Sequence, residues 1–292
     1  MPFAHPPRLS RLALLFSGLL AATPLLARAD SYRIVASIEG SVTALSANGQ
    51  AAAGMTLDNF ETFRWTARGG MVRLGRSTWD TLGHTSGTPR ISANGQVVSA
   101  TILSDDGTFS TAGRWTPSTG WTPLAPLPAN GGVVDGETSS AFGLSGDGQV
   151  VTGLFWLASG AGAHAMRWSA PTGMGDLGAQ GRSSRADGAS QDGRVLAGWD
   201  EHPSYGNRRA TVWVQGVRTV LEDSDWPSEA SAATPDGSTV VGLSGNPSDY
   251  QTYATRWTWN GSAWDKTLLG VINKRGASGY AFATGISADG SV

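Results

Sequence analysis

Two stretches of the sequence, Gly143–Gly148 and Gly285–Gly290, read Gly-x-Ser-x-Asp-Gly and invite comparison with the nucleophile motif of serine hydrolases. In those enzymes a Gly stands two residues after the serine, which lies on a sharp turn between a strand and a helix. Here Asp147 and Asp289 occupy that position. The flanking residues read as two strands around a turn, so no serine nucleophile is predicted.

The same Ser-x-Asp-Gly phrase is similar to the Asp-box of sialidases. That box has one more residue between the Asp and the Gly, and an aromatic residue further on. A sialidase also needs an arginine cluster for a carboxylate and a tyrosine nucleophile. The sequence contains arginines but does not show which of them lie together, so glycosidase chemistry stays an alternative.

Candidate metal ligands are few. The chain has no Cys, and outside the N-terminal segment its histidines are His84, His164 and His202, which are far apart and show no zinc spacing. The acidic stretch 222–229 has the oxygen ligands that Ca²⁺ prefers, but Pro227 and a missing glycine depart from the EF-hand pattern. We predict a solvated loop there, an ordinary hairpin turn at residues 105–107, and no catalytic residue, cofactor-binding residue, metal ligand or cofactor.

The composition is that of a folded all-β protein. Among 292 residues there are 40 Gly, 14 Pro and 12 Trp, with 40% hydrophobic and 15% charged residues. This is too apolar for a disordered chain, and the glycines lack the three-residue period of collagen. The formal net charge of −2 gives no basis for nucleic-acid binding.

The N-terminal segment has the features of an export signal. Arg8 and Arg11 precede an uncharged, mostly apolar stretch at 12–26, and Ala27-Arg28-Ala29 matches a small-residue cleavage site. The stretch is short for a membrane-spanning helix. We predict a signal peptide over residues 1–29 and a secreted, periplasmic or cell-surface mature chain after cleavage following Ala29. That mature chain has no transmembrane segment and, without Cys, no disulfides.

A short phrase of an apolar or small residue, Ser or Thr, any residue, then Asn-Gly or Asp-Gly, recurs six times and defines six units. Its glycines are 44 to 53 residues apart: Gly49, Gly95, Gly148, Gly193, Gly237 and Gly290. Asn-Gly and Asp-Gly between apolar runs predict hairpin turns in which both residues have positive φ. The Ser or Thr two residues earlier is expected to bond the local backbone.

A tryptophan follows each of the first five turns, 20 residues after the glycine in every unit but the first: Trp65, Trp115, Trp168, Trp213 and Trp257. We predict that these marker tryptophans are buried at equivalent places between adjacent sheets. The Arg that precedes four of them is expected to be solvated or ion-paired.

Each unit contains four short strand-like runs in about 48 residues, the period of one propeller blade. A β-helix rung is much shorter, and a Greek-key sandwich gives no reason for near-identical units. We predict an all-β, propeller-like array of four-stranded antiparallel repeats over residues 30–292. It has five full units and the start of a sixth, and we expect a truncated array whose ring is incomplete. The segment Tyr32–Ile38 reads as an additional outer strand.

The units resemble the HAF-repeat family of bacterial extracellular proteins. The motif is best kept in His164-Ala165-Met166-Arg167-Trp168, followed by Gly173–Gly178. The resemblance implies export, a propeller-like repeat domain and, in some members, the passenger region of an autotransporter. It implies no catalytic residue.

These observations predict an exported, non-catalytic binding or scaffold module. Its partner is an unknown extracellular or cell-surface ligand, a protein or a glycan, and not a nucleic acid. The alternative is a carbohydrate-active propeller enzyme that uses the central cleft. An enzyme should gather carboxylates and arginines at one end of the units, facing the axis. Charges scattered over the outer strands would favour the scaffold.

Overall fold

The computed structural model describes residues 40–58, 60–75, 87–104, 107–124, 132–134, 136–158, 161–271 and 279–291. All of them belong to one compact unit, Ser37–Val292. The predicted signal peptide 1–29, the segment Tyr32–Ile38 and His84 lie outside the described residues.

The described residues form five four-stranded antiparallel sheets, each made of strands that are consecutive in the chain. The first sheet contains β1 (Gly40–Leu45), β2 (Ala51–Thr56), β3 (Thr62–Thr66) and β4 (Gly70–Arg73). The second contains β5 (Arg90–Ile91), β6 (Val98–Leu103), β7 (Ser110–Thr116) and β8 (Gly120–Pro123). The third contains β9 (Ser139–Leu144), β10 (Val150–Trp156), β11 (Ala163–Ser169) and β12 (Gly173–Asp176). The fourth contains β13 (Ser184–Ala189), β14 (Val195–Glu201), β15 (Arg208–Val214) and β16 (Val217–Val220). The fifth contains β17 (Ser228–Ala233), β18 (Thr239–Asn246), β19 (Gln251–Trp259) and β20 (Trp264–Gly270).

This architecture confirms the predicted β-propeller. The first strands of successive sheets contact one another in order, β1 with β5, β5 with β9, β9 with β13 and β13 with β17, and so surround a common axis. In its described part the sixth unit forms no sheet. Its segment 279–291 runs beside the fifth sheet, where Ala281 donates to the carbonyl of Thr252 and Ala283 to that of Gly242.

The marker tryptophans occupy the third strand of every sheet, at one register position. Trp213 is fully buried and packs on Val150 and Ala165 of the preceding sheet. Trp257 does the same on Ala197 and Val212. Large aromatic side chains that bridge two sheets bury much apolar area and hold neighbouring blades together. The other three marker tryptophans hold the same position but are only partly buried: Trp65, Trp115 and Trp168.

The repeat turns confirm the role of the hydroxyl residue and correct the predicted turn type. Ser145 donates to the Asp147 carboxylate at 2.6 Å and accepts from the Val150 N–H at 2.9 Å. The N–H of Gly148 bonds the carbonyl of Ser145, and only the glycine has positive φ. The expectation of positive φ at both turn residues is wrong. The turn closes over two ordinary residues, with the glycine alone in the left-handed region.

Four of the six turn glycines, those of the second to fifth units, also lie close against the preceding unit. A Cβ on Gly193 would come within 2.7 Å of Val150 Cβ, and one on Gly237 within 2.8 Å of Val195 Cβ. The residue contacted is always the one two positions after the previous turn glycine, and Gly95 and Gly148 repeat the arrangement on Ala51 and Val97. Glycine is therefore required at these four positions for two separate reasons: its positive φ and the closeness of the neighbouring unit.

Backbone hydrogen bonds join successive turns in one direction. Four N–H groups donate to the next unit's turn: Ala47 to Ala93, Ala93 to Gly146, Asp147 to Gln191, and Gln191 to Pro235. Among the described residues the fifth turn accepts this bond but donates none onward, and Pro235 has no N–H with which to do so.

The arginine before the marker tryptophan forms a third link between units. Arg64 Nε donates to the carbonyl of Gly95 at 2.6 Å, and Arg114 Nε to that of Gly148 at 2.9 Å. The expectation of a solvated or ion-paired side chain is wrong for these two residues. In the fifth unit, Arg256 Nε is buried and has no hydrogen-bond partner among the described residues.

Candidate functional site

The first strand of each sheet lines the axis, and in four of the five sheets it carries a β-bulge at one fixed place. In four sheets the residue six before the turn glycine has no partner in the ladder: Thr43, Phe142, Asp187 and Ser231. A bulge re-aims one side chain out of the regular alternation of a strand. The second unit has Pro89 at this position, which suits a place where no ladder N–H is required. The bulge therefore presents a different chemical group from each unit.

Charged residues collect on the first strands of the fourth and fifth sheets. Arg185 Nε contacts Asp187 Oδ1 at 2.5 Å, and Arg185 Nη2 contacts Glu229 Oε1 at 3.1 Å. Arg208, at the start of β15, contacts Glu229 Oε2 at 2.8 Å. Both carboxylates are at least nine-tenths buried, whereas Arg208 is 48% exposed. We call these four residues the axial charge cluster.

Aromatic rings fix the two guanidinium groups of the cluster. Arg185 Cζ lies 4.1 Å from the ring centre of Phe142 and 5.4 Å from that of Trp199. The same Trp199 ring also contacts Arg208, whose Cζ lies 4.4 Å from the ring centre. Cation–π contacts of this kind gain strength when the cation is shielded from water. The third, fourth and fifth sheets are thus joined around one buried cation.

Burial dominates the electrostatics of the cluster. It raises the pKa of Asp187 to about 7, against the pull of Arg185 and with the help of the nearby Glu229 carboxylate. Asp187 Oδ2 is buried and has no hydrogen-bond partner among the described residues. Burial alone would lower the pKa of Arg185, but the two carboxylates outweigh it and raise that pKa. A buried carboxyl oxygen without a partner can accept a hydrogen bond from a donor on a ligand or from a water molecule.

Three cavities follow the axis. The first, of about 310 Å³, is lined by the residues four and two before the turn glycine in all six units, among them Leu45, Gln191 and Ile286. The second, of about 140 Å³, is lined by Arg90, Asp187, Ser231 and Thr284. The third, of about 370 Å³, is lined by Arg185, Arg208, Glu229, Leu243, Tyr280 and Phe282. Asp187 and Arg185 therefore each line one of the two charged cavities.

The two described histidines, His164 and His202, lie on different sheets. His164 Nδ1 pairs with Asp176 at 3.0 Å on the third sheet. His202 directly follows β14 of the fourth sheet. Its ring accepts a hydrogen bond from the Ser204 N–H at 3.0 Å and packs against the ring of Tyr205. Among the described residues there is no group of three His, Asp or Glu side chains that is able to hold a metal.

The acidic stretch 222–229 is only in part the solvated loop that we expected: Asp223 and Asp225 are exposed, but three of the carboxylates pair with cations. Glu222 pairs with Lys266 at 2.6 Å, Asp223 with Arg209 at 2.6 Å, and Glu229 belongs to the axial charge cluster. Its carboxylates are used to neutralise cations of the surrounding strands. At residues 105–107 only Gly107 is described; its positive φ and its bond to the carbonyl of Ser104 fit the predicted turn.

The sequence reasoning missed the axial charge cluster. Its members lie within 45 residues of one another but on three different strands, so no short motif contains them. One signal was present: the position six before the turn glycine changes chemical type from unit to unit while the turn itself stays constant. Variation at a fixed place in a repeat marks a surface used for something other than the fold.

Comparisons with known proteins support the fold. No family model matches the chain, and no curated protein matches its sequence. TolB from Acinetobacter baumannii is similar in structure, with a TM-score of 0.51 at 16% identity over 80% of this chain; the match spans 55% of that protein. A putative TolB from Agrobacterium tumefaciens gives a TM-score of 0.54 at 16% identity, over 88% of this chain and 90% of that one. An acylaminoacyl peptidase gives 0.50 at 10% identity, over 80% and 40%.

Identities this low establish a common fold and nothing further. Within the described part of the chain, no helix is both long and apolar enough to cross a lipid bilayer.

Proposed function

We propose that this protein is an exported, non-catalytic propeller that binds a partner through the axial charge cluster. Secretion to the periplasm or cell surface, cleavage after Ala29 and membership of the HAF-repeat family belong to the same proposal. The similarity to TolB propellers is compatible with it. Its main support is that two bulge residues, Asp187 and Ser231, line one cavity, and that Arg185 and Glu229 on the same two strands line the neighbouring charged cavity.

The geometry favours recognition over reaction because the charged groups are already held. Glu229 is bound by two guanidinium groups and Asp187 by one. Groups fixed before the ligand arrives lose little conformational freedom on binding, which favours affinity and specificity. Ser145, the serine of the hydrolase-like motif, bonds Asp147 and the Val150 N–H and is no free nucleophile.

The carbohydrate-active enzyme remains the second candidate, on one specific observation. Arginines and carboxylates do gather at the axis, and Asp187, with its pKa raised to about 7, lies close to a second carboxyl. A carboxyl group with a raised pKa is of the kind that serves as a general acid or base near neutral pH.

One experiment separates the two candidates. Purified protein is mixed with peptide and glycan fragments released from the envelope of the producing cell, and amide hydrogen exchange is followed by mass spectrometry. Binding at the axis slows exchange in β13 and β17, and the recovered ligand keeps its mass. A ligand returned cleaved would establish the enzyme instead. Unchanged exchange in both strands with every fragment would refute both.

A variant pair makes the test specific. Arg208→Gln removes an exposed contact to Glu229 at the rim of the cluster, so we expect at least a tenfold loss of affinity with the fold intact. Arg194→Gln is the matched control, because Arg194 is 69% exposed and pairs with Asp192 within its own turn. Equal affinities for the two variants would place the binding surface elsewhere.

A further inference from the structure

A groove of about 400 Å³ lies between the fourth and fifth sheets, away from the axial charge cluster. We call it the tryptophan groove and define it by Val214, Thr219, Asp236, Ser238, Trp259 and Trp264. Its volume falls within the range of about 300–1,000 Å³ that is usual for small-molecule sites.

Two indole rings form one wall of the groove. Trp259 and Trp264 are a cross-strand pair of β19 and β20, with ring centres 5.7 Å apart and planes tilted by 55°. Trp264 packs partly into the core below, whereas Trp259 is 44% exposed. The wall is therefore anchored at one ring and open to solvent at the other.

The repeat does not account for Trp259. The position two after the marker tryptophan holds no aromatic residue in the other full units, where it is Ala67, Pro117, Ala170 and Gln215. Four sheets fold without an aromatic side chain there. A large apolar ring held half in water, beside a concave surface and without a structural need, indicates a binding surface.

The polar side of the groove excludes anionic ligands. Asp236 accepts hydrogen bonds from the Thr234 hydroxyl at 2.6 Å, the Ser238 N–H at 3.0 Å and the Ser238 hydroxyl at 2.9 Å. These bonds hold the pKa of Asp236 below its usual range, so the carboxylate is charged at neutral pH. No Arg or Lys lines the groove to offset that charge.

An aliphatic ligand is also a poor match. It would take the Asp236 carboxylate out of water and give it no donor, which is costly for a charged group. The occupant that satisfies both sides has flat C–H faces for the indole ring and hydroxyl donors for the carboxylate. A sugar ring carries both.

We propose that the tryptophan groove binds a neutral saccharide. One face of a pyranose ring stacks on Trp259, and its hydroxyls donate to Asp236 and exchange hydrogen bonds with Thr219. This rests on the proposed function only in assuming that the protein meets extracellular ligands; the groove and the axial charge cluster use different residues.

The test titrates the purified protein with neutral oligomers of glucose, N-acetylglucosamine and xylose, with oligogalacturonate as the anionic comparison. Calorimetry and tryptophan fluorescence report binding. We expect one or more neutral series to bind and to quench fluorescence, and oligogalacturonate to bind at least tenfold more weakly. Absence of binding by every neutral series, or preference for oligogalacturonate, would overturn the proposal.

Two variants and their controls locate the binding. Trp259→Ala should weaken binding at least tenfold, while Tyr250→Ala, which removes another exposed aromatic side chain, should leave it unchanged. Asp236→Asn should weaken it severalfold without harming the turn, because Asn48 and Asn94 stand at that position in the first two units. Asp192→Asn makes the same change in a turn outside the groove. Unfolding curves check that each variant is folded.

The alternatives give distinct results. If Trp259→Ala dissociates a dimer of the wild-type protein, or blocks a peptide while sugars never bind, the groove is a protein interface and the proposal is wrong. Failure of the sugars while envelope fragments still slow exchange in β13 and β17 removes this inference and leaves the proposed function. The converse result removes the proposed function and leaves the groove.

Discussion

The Nε of Arg114 donates a 2.9 Å hydrogen bond to the backbone carbonyl of Gly148, so that a side chain of the second sheet holds the turn of the third unit. Burial lowers the pKa of this guanidinium below its ordinary value, but leaves it charged at any physiological pH. The bond is therefore charge-assisted, and its carbonyl has no other acceptor role in the repeat turn.

Removing this bond should destabilise the fold, and the equivalent arginine of the fifth unit provides the control. Arg114→Met is expected to lower the free energy of unfolding by about 1–3 kcal/mol, since a partly buried carbonyl loses a charged donor. Arg256→Met is the control, because Arg256 Nε is buried without a partner among the described residues; its change should stay within about 0.5 kcal/mol. Urea unfolding measures both. Equal losses would show that the link between units contributes nothing.

The two requirements on the turn glycines can be separated. Gly49 and Gly193 have φ of 66° and 65°, but a Cβ has open space at Gly49 and meets Val150 at Gly193. Gly49→Ala should cost about 1–2 kcal/mol from the left-handed backbone alone. Gly193→Ala adds overpacking of about 1–3 kcal/mol. Thermal unfolding of the two variants gives the comparison, and a Gly193→Ala loss no larger than that of Gly49→Ala would contradict it.

The marker tryptophans should differ in importance although they are equivalent in sequence. Trp213 is fully buried between the third and fourth sheets, so Trp213→Ala is expected to cost about 3–5 kcal/mol. Trp65 is only partly buried, and Trp65→Ala should cost less. Denaturant unfolding at equilibrium tests the order of the two losses. A larger loss at Trp65 would mean that the first sheet is covered more tightly than the described residues show.

The stability of the protein should fall as pH rises from about 4 to about 7. Asp187 has a pKa of about 7 in the folded protein and about 4 in an unfolded chain. The folded state therefore binds more protons in this window, and the free energy of unfolding decreases as pH rises through it. Asp187→Asn removes the titrating group and should flatten this dependence.

The turn carboxylates Asp192 and Asp236 titrate outside this window. The pKa values of Asp192 and Asp236 are lowered, by hydrogen bonds from their own turns, so their contributions change below about pH 4. Urea unfolding at pH 5 and pH 8 measures the effect in wild type and variant. Parallel changes in the two proteins would show that Asp187 is not the group responsible.

The fold was predictable from the sequence because each of its signals is local. The Ser-x-Asp-Gly turns and the spacing of Trp168, Trp213 and Trp257 report on contacts inside one unit. The unit count and the four-stranded sheets followed from them. The contact of Gly193 with Val150 and the bond from Arg114 to Gly148 join separate units, and no pattern within one unit shows them.

The candidate site was not predictable for a related reason. Arg185, Asp187 and Glu229 come together only because β13 and β17 lie side by side at the axis and because each carries a bulge. A regular alternation would give Asp187 a partner in the ladder. The sign of this one-residue irregularity in the sequence is the changing residue type six positions before the turn glycine, which does not show which side chains meet.

Pro235 ends the series of backbone hydrogen bonds that join successive turns. From Ala47 to Pro235, each turn donates a backbone N–H to a carbonyl of the next turn along the chain. The series ends at Pro235, whose backbone nitrogen carries no hydrogen. Beyond it, the segment 279–291 is held by bonds such as that from the Ser231 hydroxyl to the Ala283 carbonyl. Local opening should therefore be easiest at the junction of the fifth and sixth units, since neither this backbone bond nor the arginine bond is present there among the described residues.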